Sequence, residues 1–249
     1  MTRIVEPAIL ACPRCNYPMR RTRYASIHFY AATYWSDGYT STISVAGNPD
    51  LGVCCSCESI FWVEDAEELG IMHREPESTQ WPWWKRGLAR FDEKATATLA
   101  KEKAWRAIPD QWHFAGQIEP PRARELLWAL AQGVGDTPAR ERRLRQKIWW
   151  VGNHPDRGGY AIRDPMTPAQ AHENRLALLE LVRQDGETHK RHLTEAELLR
   201  QLGYFDEALA VLEHTLLIGN ETAVLLAENA RARETKVVKV GGWSELEGG

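Results

Sequence analysis

The sequence predicts an α+β protein, in which a small antiparallel β module at the N-terminus is joined to a mostly α-helical second part. Three observations lead to this fold class: two short cysteine pairs flank a segment rich in strand-forming residues, an Asp-Gly hairpin signal lies inside that segment, and helix start and stop residues punctuate the C-terminal half. The 249 residues of the chain are enough for two domains.

The composition is that of an ordinary globular protein, and it disfavours several functional classes. With 43% hydrophobic and 26% charged residues, disorder is not expected, and a net charge of -3 gives no overall attraction to nucleic acid or anionic membranes. Glu6 and Pro7 interrupt the region where a signal peptide needs apolar residues, and no apolar run is long enough to span a membrane. The sequence therefore predicts a cytoplasmic protein with no membrane partner.

The two cysteine pairs have the spacing of zinc knuckles. The pairs are Cys12 with Cys15 and Cys54 with Cys57, and the extra thiol of Cys55 leaves the choice within the second pair open in principle. Thiols stay reduced in the cytoplasm, so paired cysteines there indicate metal ligands before disulfides. We predict a structural Zn²⁺ site at Cys12, Cys15, Cys54 and Cys57, with a redox dithiol or a vestigial site as the alternatives.

The residue that follows each knuckle bears on this assignment. Asn16 follows Cys15, and asparagine tolerates the left-handed conformation that a knuckle turn requires. Glu58 holds the equivalent place after Cys57 and is a poorer match. A site of four thiolates has no open position for water or substrate, so the predicted ion acts on folding and not in catalysis.

The segment between the cysteine pairs is predicted to form a hairpin. Residues 24–35 and 39–45 are rich in aromatic and β-branched side chains, and Asp37-Gly38 between them favours a two-residue turn. That turn would pair Tyr34 with Ser41, Ala32 with Ile43 and Tyr30 with Val45. A third strand at 59–63 follows the second knuckle, and together these strands are typical of a zinc ribbon.

The C-terminal half carries the punctuation of helices. Thr137-Pro138 and Thr167-Pro168 each place a capping hydroxyl before a first-turn proline, and Gln170 completes a capping box with Thr167. Gly186, Gly203 and Gly219 fall where helices should stop.

One stretch of this half matches a tetratricopeptide motif of two antiparallel helices around a glycine turn. Its small and apolar positions are Ala196, Leu199, Gly203, Phe205, Glu207, Ala208, Leu209 and Leu212. A further helix at 221–233 and helices around 122–150 and 168–185 would complete the stack. Such stacks bind peptides or proteins, and the alternative is a plain helical core with no binding groove.

The cysteine-pair region resembles a known family. Cys12-Pro13-Arg14-Cys15, Trp35-Ser36-Asp37-Gly38, Pro49-Asp50-Leu51, the second cysteine pair and Phe61-Trp62 are similar to the start of uncharacterised bacterial proteins that join a zinc ribbon to a tetratricopeptide-like helical region. The likeness covers the first 70 residues well, and the helical part more loosely through Trp149-Trp150, Asn153 and Gly203. It departs at Cys54-Cys55, where Cys-Pro-x-Cys is usual, and it implies no known activity.

The predicted domain organisation has four parts. Residues 1–70 form the zinc ribbon, 71–120 a linker and a tryptophan-rich helical connector, 121–236 the helical domain and 237–249 a tail. In the connector, the large apolar side chains are spaced as on a helix face; they are Trp81, Trp83, Trp84, Leu88 and Phe91. Packing onto the helical domain is favoured for them over an exposed patch that binds a partner.

Two further motifs suggest more specific functions, which the surrounding residues disfavour. His154-Pro155-Asp156 is similar to the loop through which J-domains stimulate their chaperone partners, but Trp149-Trp150 replaces the usual helix end. His189, His192 and Glu195 lie on one predicted helix, yet its period turns Glu195 away from His189, so a solvated helix face is favoured over a second metal site.

The function predicted from the sequence is a noncatalytic zinc-binding protein that binds protein partners through its helical domain. The chain contains no nucleophile elbow, P-loop, His-Glu-x-x-His or dinucleotide fingerprint, so an enzyme is not expected. The alternative is a nucleic-acid-binding regulator that uses the zinc ribbon and basic patches, including Arg20, Arg21 and Arg23.

Overall fold

The chain divides into two compact units, each built from two separate stretches of sequence. The computed structural model describes residues 2–29, 31–42, 49–158, 166–186, 188–217 and 219–244. The first unit consists of Met1–His28 and Val45–Pro120, and the second of Phe29–Ser44 and Pro121–Gly249. The segment 29–44, which the sequence analysis assigned to the zinc ribbon, therefore groups with the helices of the second unit.

The described residues form nine strands and nine α-helices. The strands are β1 (Arg3–Ala11), β2 (Pro18–Ser26), β3 (Ala31–Trp35), β4 (Thr40–Thr42), β5 (Leu51–Val53), β6 (Ile60–Trp62), β7 (Glu68–Ile71), β8 (Gly116–Gln117) and β9 (Lys239–Ser244). The helices are α1 (Trp83–Leu88), α2 (Glu93–Arg106), α3 (Asp110–His113), α4 (Ala123–Ala131), α5 (Pro138–Gly152), α6 (Pro168–Arg183), α7 (His189–Leu202), α8 (Phe205–Leu217) and α9 (Glu221–Arg231). None of the described helices is both long and apolar enough to cross a membrane.

The first unit is organised by two small sheets. One has the strand order β7-β1-β2-β8, in which β8 runs parallel to β2 and the other neighbours are antiparallel, and β5 pairs with β6 in the second. Apolar side chains from both sheets form one core together with two cysteines; the core contains Ala8, Leu10, Cys12, Met19, Cys54, Phe61, Val63 and Ile118. Since two thiols lie inside this core, the chemistry of the cysteines and the packing of the sheets are coupled.

Helices α1 and α2 of the first unit are joined by a polar contact around a buried carboxylate. Glu102 Oε1 accepts hydrogen bonds from Arg86 Nη2 at 2.6 Å and Arg106 Nε at 2.9 Å. The apolar residues of α1 and its flank are largely on the surface: Trp83 is 85% exposed and Phe91 is 76% exposed.

The second unit is a series of helices in which each packs against the next. Contacts connect α4 with α5, α5 with α6, α6 with α7, α7 with α8 and α8 with α9. The predicted helix starts are confirmed, because Thr137 caps α5 and Thr167 forms a reciprocal capping box with Gln170 at α6. Gly203 ends α7 with a left-handed φ of 86°, as its sequence position predicts.

The helical core of the second unit contains the small residues that the motif placed at the α7–α8 crossing. Ala196 is 1% exposed and Ala208 is fully buried. Their neighbours are large apolar side chains, among them Trp149, Leu178, Leu198, Leu199, Leu212 and Leu226. Short side chains at these positions let the two helices approach closely.

The hairpin formed by β3 and β4 has a different turn from the predicted one. Trp35 N donates to Tyr39 O at 3.0 Å and Gly38 N donates to Trp35 O at 2.9 Å, so three residues and not two connect the strands. Gly38 has a φ of 76°, which is the left-handed conformation that closes such a turn with a bulge. The predicted register is consequently wrong by one residue.

The observed pairing places Tyr34 opposite Thr40 and Ala32 opposite Thr42. The expected partners Tyr30, Ile43 and Val45 lie outside the described residues. On its other edge β3 pairs with β9, which lies in the segment 237–249 that the sequence analysis treated as a tail. Strand β3 is therefore the central strand of a three-stranded sheet, with the order β4-β3-β9.

Buried polar contacts fix the turn of the hairpin to the helices of the second unit. Asp37, 3% exposed, forms an ion pair with Arg157 through Oδ2, and the same oxygen accepts from Asn153 Nδ2 at 2.8 Å. Trp150 Nε1 donates to Asp37 O at 2.9 Å. The guanidinium of Arg157 also lies 4.3 Å from the ring centre of Tyr39.

A second set of contacts surrounds Glu197, a carboxylate with no exposed surface. Arg200 donates to it through two nitrogens, both at 2.8 Å, and Ser36 Oγ donates to its Oε1 at 2.8 Å. Arg200 Nη2 also donates to Lys236 O at 2.8 Å, just before β9. Because every partner named here comes from the second unit, the buried carboxylate of Glu197 is satisfied within this unit.

Candidate metal centre

The structure brings together the four thiols that the sequence singled out. The Sγ atoms of Cys12, Cys15, Cys54 and Cys57 all lie within 4.8 Å of one another. Cys12 Sγ is 3.8 Å from Cys57 Sγ, and Cys15 Sγ is 3.7 Å from Cys54 Sγ. An ion with four metal–sulfur bonds of about 2.3 Å in a tetrahedron would hold its sulfurs about 3.8 Å apart. These thiols can therefore hold a metal ion.

Two turns of the same geometry present the thiols. Asn16 N donates to Cys12 O and Glu58 N donates to Cys54 O, both at 2.9 Å. In each turn the N–H of the first cysteine also donates to the carbonyl oxygen five residues later, again at 2.9 Å. Asn16 and Glu58 have left-handed φ angles of 58° and 57°. Glu58 thus adopts the conformation of Asn16, although its side chain made it the poorer match in the sequence.

Backbone N–H groups inside each turn point at the first sulfur of the pair. Arg14 N lies 3.4 Å from Cys12 Sγ, and Ser56 N lies 3.4 Å from Cys54 Sγ. Such donors stabilise negative charge on sulfur, which is the form that binds metal. The two turns are equivalent in this respect as well, and they approach the cluster from β1–β2 and from β5–β6.

Ser59 is a member of the site that the sequence reasoning missed. Its hydroxyl lies 3.1 Å from Cys57 Sγ and 3.5 Å from Cys12 Sγ, and the residue is 7% exposed. It therefore links the two knuckles outside the ring of ligands. Its position two residues after Cys57, directly before β6, is the only signal that could have indicated this role.

The environments of the thiols move their pKa values in opposite directions. Hydrogen bonding by Ser59 lowers the pKa of the Cys57 thiol to about 6. Burial raises the pKa of the Cys54 thiol to about 12. Near neutral pH, one thiol is ready to release its proton while the other needs a bound cation to do so.

The donor set restricts the metals that fit. Four thiolates in a closed arrangement suit zinc or another ion that prefers sulfur, and they leave no coordination position for a substrate. Cys55 stands outside the cluster: its thiol lies so close to Gly116 that a Cβ at Gly116 would be 2.9 Å from Cys55 Sγ. The glycine in β8 therefore makes room for this fifth thiol.

The other residues considered from the sequence do not form a second centre within the described ranges. Glu195, expected on a solvated face, is 5% exposed and binds Arg183 Nε at 2.8 Å. Among the described residues, the four-cysteine cluster alone has a metal-binding arrangement. Of the three arginines on β2, Arg21 is paired with Glu68 at 3.0 Å, Arg23 is exposed, and Arg20 lines a cleft.

Comparison with known proteins leaves the chain without an assigned family. No family model matches it, and neither a curated protein nor a solved structure is significantly similar. The resemblance to bacterial zinc-ribbon proteins therefore stays a prediction. The tetratricopeptide-like character also stays a prediction, which depends on the pattern of α7 and α8 alone.

Proposed function

We propose that the protein is a noncatalytic zinc protein in which the four-cysteine site holds the first unit together and the helices of the second unit bind a protein partner. The observation that carries the first half of this proposal is the spacing of the sulfurs, 3.7 and 3.8 Å in the two closest pairs across the knuckles. Zinc is the ion that four thiolates in a tetrahedron most commonly hold in proteins. A closed site of this kind contributes to folding and not to catalysis.

Elemental analysis of the full chain tests the metal assignment. We expect about one zinc per chain after purification, because one set of four ligands is present. Cys12→Ser should abolish the bound zinc, whereas the matched variant Cys55→Ser should retain it, since the Cys55 thiol lies against Gly116. An ordered first unit without metal, or zinc lost equally from both variants, would contradict the assignment.

The second half of the proposal is supported by the helix pair formed by α7 and α8. Its buried small residues and its left-handed Gly203 agree with a motif whose stacked copies bind peptides or proteins. Tyr204 and Val224 add exposed apolar surface beside this pair and on α9, each being 43% exposed. A partner would cover these side chains.

The test must keep the whole chain, because a fragment of residues 120–236 lacks Ser36 and Asp37, which bind Glu197 and Arg157. We would identify proteins that co-purify with the tagged chain and then measure binding of the purified partner. The double variant Tyr204→Glu with Val224→Glu should weaken binding. Trp83→Glu, at an exposed site of the first unit, is the matched control. Loss of binding with the control alone would reject the helices as the binding surface.

Nucleic-acid binding by the first unit receives less support. Glu68 neutralises Arg21, so the three arginines of β2 do not form one free basic patch. A mobility shift that weakens steeply with salt and with charge reversal at Arg20 and Arg23 would favour this alternative over the protein-binding role.

A further inference from the structure

A cleft separate from the thiol cluster lies on one face of the four-stranded sheet in the first unit. Its volume is about 510 Å³, which falls in the range of sites for small molecules. Arg20 and Thr22 of β2 line it, as does Gln117 of β8, whose Nε2 donates to Thr22 Oγ1 at 3.0 Å. Residues two apart on a strand share a face, so Arg20 and Thr22 belong to one wall of the cleft.

Arg20 differs from its neighbour Arg21 in how its charge is satisfied. Arg21, on the opposite face of β2, is paired with Glu68 at 3.0 Å. Among the described residues, the Nε atom of Arg20 is buried without a hydrogen-bond partner, and the Arg20 side chain lines the cleft. A guanidinium that lines a cleft can donate through its Nη atoms to an anion from outside the chain, so Arg20 is the candidate anchor for such an anion.

The charges around the cleft also favour an anion. Arg20 and Arg74 line it together with a single carboxylate, Glu75. The carboxylate of Glu6 lies nearby, where it accepts from Arg74 N at 3.3 Å and is 3.2 Å from His73 Nδ1. Two guanidinium groups against one carboxylate leave the lining positively charged.

The remaining walls offer flat and apolar surface. Trp105 of α2 and His113 of α3 meet edge to face, with ring centroids 5.7 Å apart, and both line the cleft. Met72 and Ile4 add apolar contacts. A ligand with an aromatic or apolar body can lie against Trp105 while its charged end reaches Arg20.

We propose that this cleft binds a small organic anion, with a carboxylate or phosphate group on Arg20 and an aromatic or apolar body against Trp105. Guanidinium groups bind both kinds of anion through paired hydrogen bonds, and Arg20 lines the cleft. Carboxylates and phosphate esters share this chemistry, and one probe from each class distinguishes them.

Fluorine NMR on the zinc-loaded full chain tests the proposal with three probes. They are para-trifluoromethylbenzoate, para-trifluoromethylphenyl phosphate and the neutral para-trifluoromethylbenzamide. At least one anion should bind at least about tenfold more tightly than the amide, since a hydrogen bond to a charged group is worth that factor or more. The tighter of the two anions identifies the class of ligand.

Variants locate the binding to the cleft. Arg20→Gln should weaken binding of the anion at least about tenfold, and Arg20→Lys should retain part of it, because lysine keeps the charge but not the paired donors. Arg23→Gln, three residues along the same strand and exposed, is the matched control and should leave binding unchanged. Trp105→Leu should weaken binding of all probes.

Several results would overturn the proposal. Binding of neither anion to the zinc-loaded chain, equal binding of the anions and the amide, or equal loss in the variants of Arg20 and Arg23 would each reject it. Zinc content measured on the same samples keeps this outcome distinct from failure of the proposed zinc site. Thermal unfolding of each variant shows whether a loss of binding reflects the cleft or the fold, and wild-type binding retained by a folded Arg20→Gln chain also rejects it.

Discussion

The four-cysteine cluster of the first unit and the Glu197 cluster of the second satisfy their buried groups in different ways. In the first unit, the thiols of Cys12 and Cys54 lie in the apolar core, where the proposed zinc ion would be their partner. In the second unit, the carboxylate of Glu197 is equally buried but receives its partners from Arg200 and Ser36. The contrast teaches that the proposed zinc site makes the stability of the first unit depend on the supply of metal, whereas the buried Glu197 of the second unit receives its partners from the chain itself.

Removal of the metal should produce the largest difference in stability between the two units. Structural zinc in small modules contributes about 10–16 kcal/mol, more than the whole stability of most domains. A chelator should therefore abolish hydrogen-exchange protection in β1 and β2 and leave α5–α9 protected. Cys55→Ser should behave like the wild-type chain. Hydrogen-exchange protection that persists in β1 and β2 after metal loss would contradict the proposed dependence of the first unit on zinc.

The charged pair of the second unit should show the next largest effect. Arg200→Met leaves the fully buried Glu197 without its cation, and breaking such a pair costs about 3–5 kcal/mol of unfolding free energy. Denaturant unfolding of the zinc-loaded chain measures this loss. Arg140→Met, which removes an exposed pair with Asp136, should cost less than about 1 kcal/mol. Similar losses in the two variants would mean that burial of the Glu197 pair has no special weight.

The turn that joins β3 to β4 offers a smaller and more local test. Gly38 has a φ of 76° and open space around its Cα, so Gly38→Ala meets no side chain and loses stability only through the left-handed backbone. We expect a loss of about 1–2 kcal/mol in the unfolding of the second unit. Gly186→Ala has open space without a left-handed φ and should be close to neutral. Equal stability of both variants would argue against the three-residue turn.

The smallest expected effect is a pH dependence at His154. Burial lowers the pKa of His154, and the charge of Arg157 lowers it further, against the opposing charge of Asp37. A histidine whose folded pKa lies below its unfolded value of about 6.5 contributes stability above that pH and loses it on acidification. The second unit should therefore become less stable as the pH falls below about 6.5.

His154→Asn should flatten this dependence, because asparagine can still accept the hydrogen bond that Arg157 Nη1 gives to His154 Nδ1 at 2.8 Å but does not titrate. Thermal unfolding followed by signals of the second unit, at a series of pH values above and below about 6.5, gives the comparison. His172→Asn, at an exposed residue of α6, is the control. An unchanged slope in His154→Asn would exclude this residue as the cause.

Most of the candidate site could be predicted from the sequence, because each knuckle is formed by residues that are neighbours in the chain. Two thiols separated by two residues fold into the same knuckle at both places in this chain, and the left-handed residue after each pair follows from that turn. The role of Ser59 could not be predicted, since a serine directly before a strand gives no sign that its hydroxyl will contact two sulfurs. That contact depends on how the two knuckles approach each other.

The ends of several helices in the second unit were predicted correctly from the sequence. The partners of the buried charged residues in this unit were not. Threonine caps, first-turn prolines and left-handed glycines act within one turn of the chain, so Thr137, Thr167 and Gly203 function as expected. Nothing local indicates that Ser36 and Asp37, far earlier in the sequence, supply the partners of Glu197 and Arg157.

The sequence by itself determined the helix ends at Thr137, Thr167 and Gly203, the two knuckles and the existence of a hairpin, because each depends on neighbouring residues. Tertiary structure decided the length of the hairpin turn, its pairing with β9 and its place in the second unit. The physical reason is the buried Asp37: its ion pair with Arg157 and its bond from Asn153 form only when distant parts of the chain have come together.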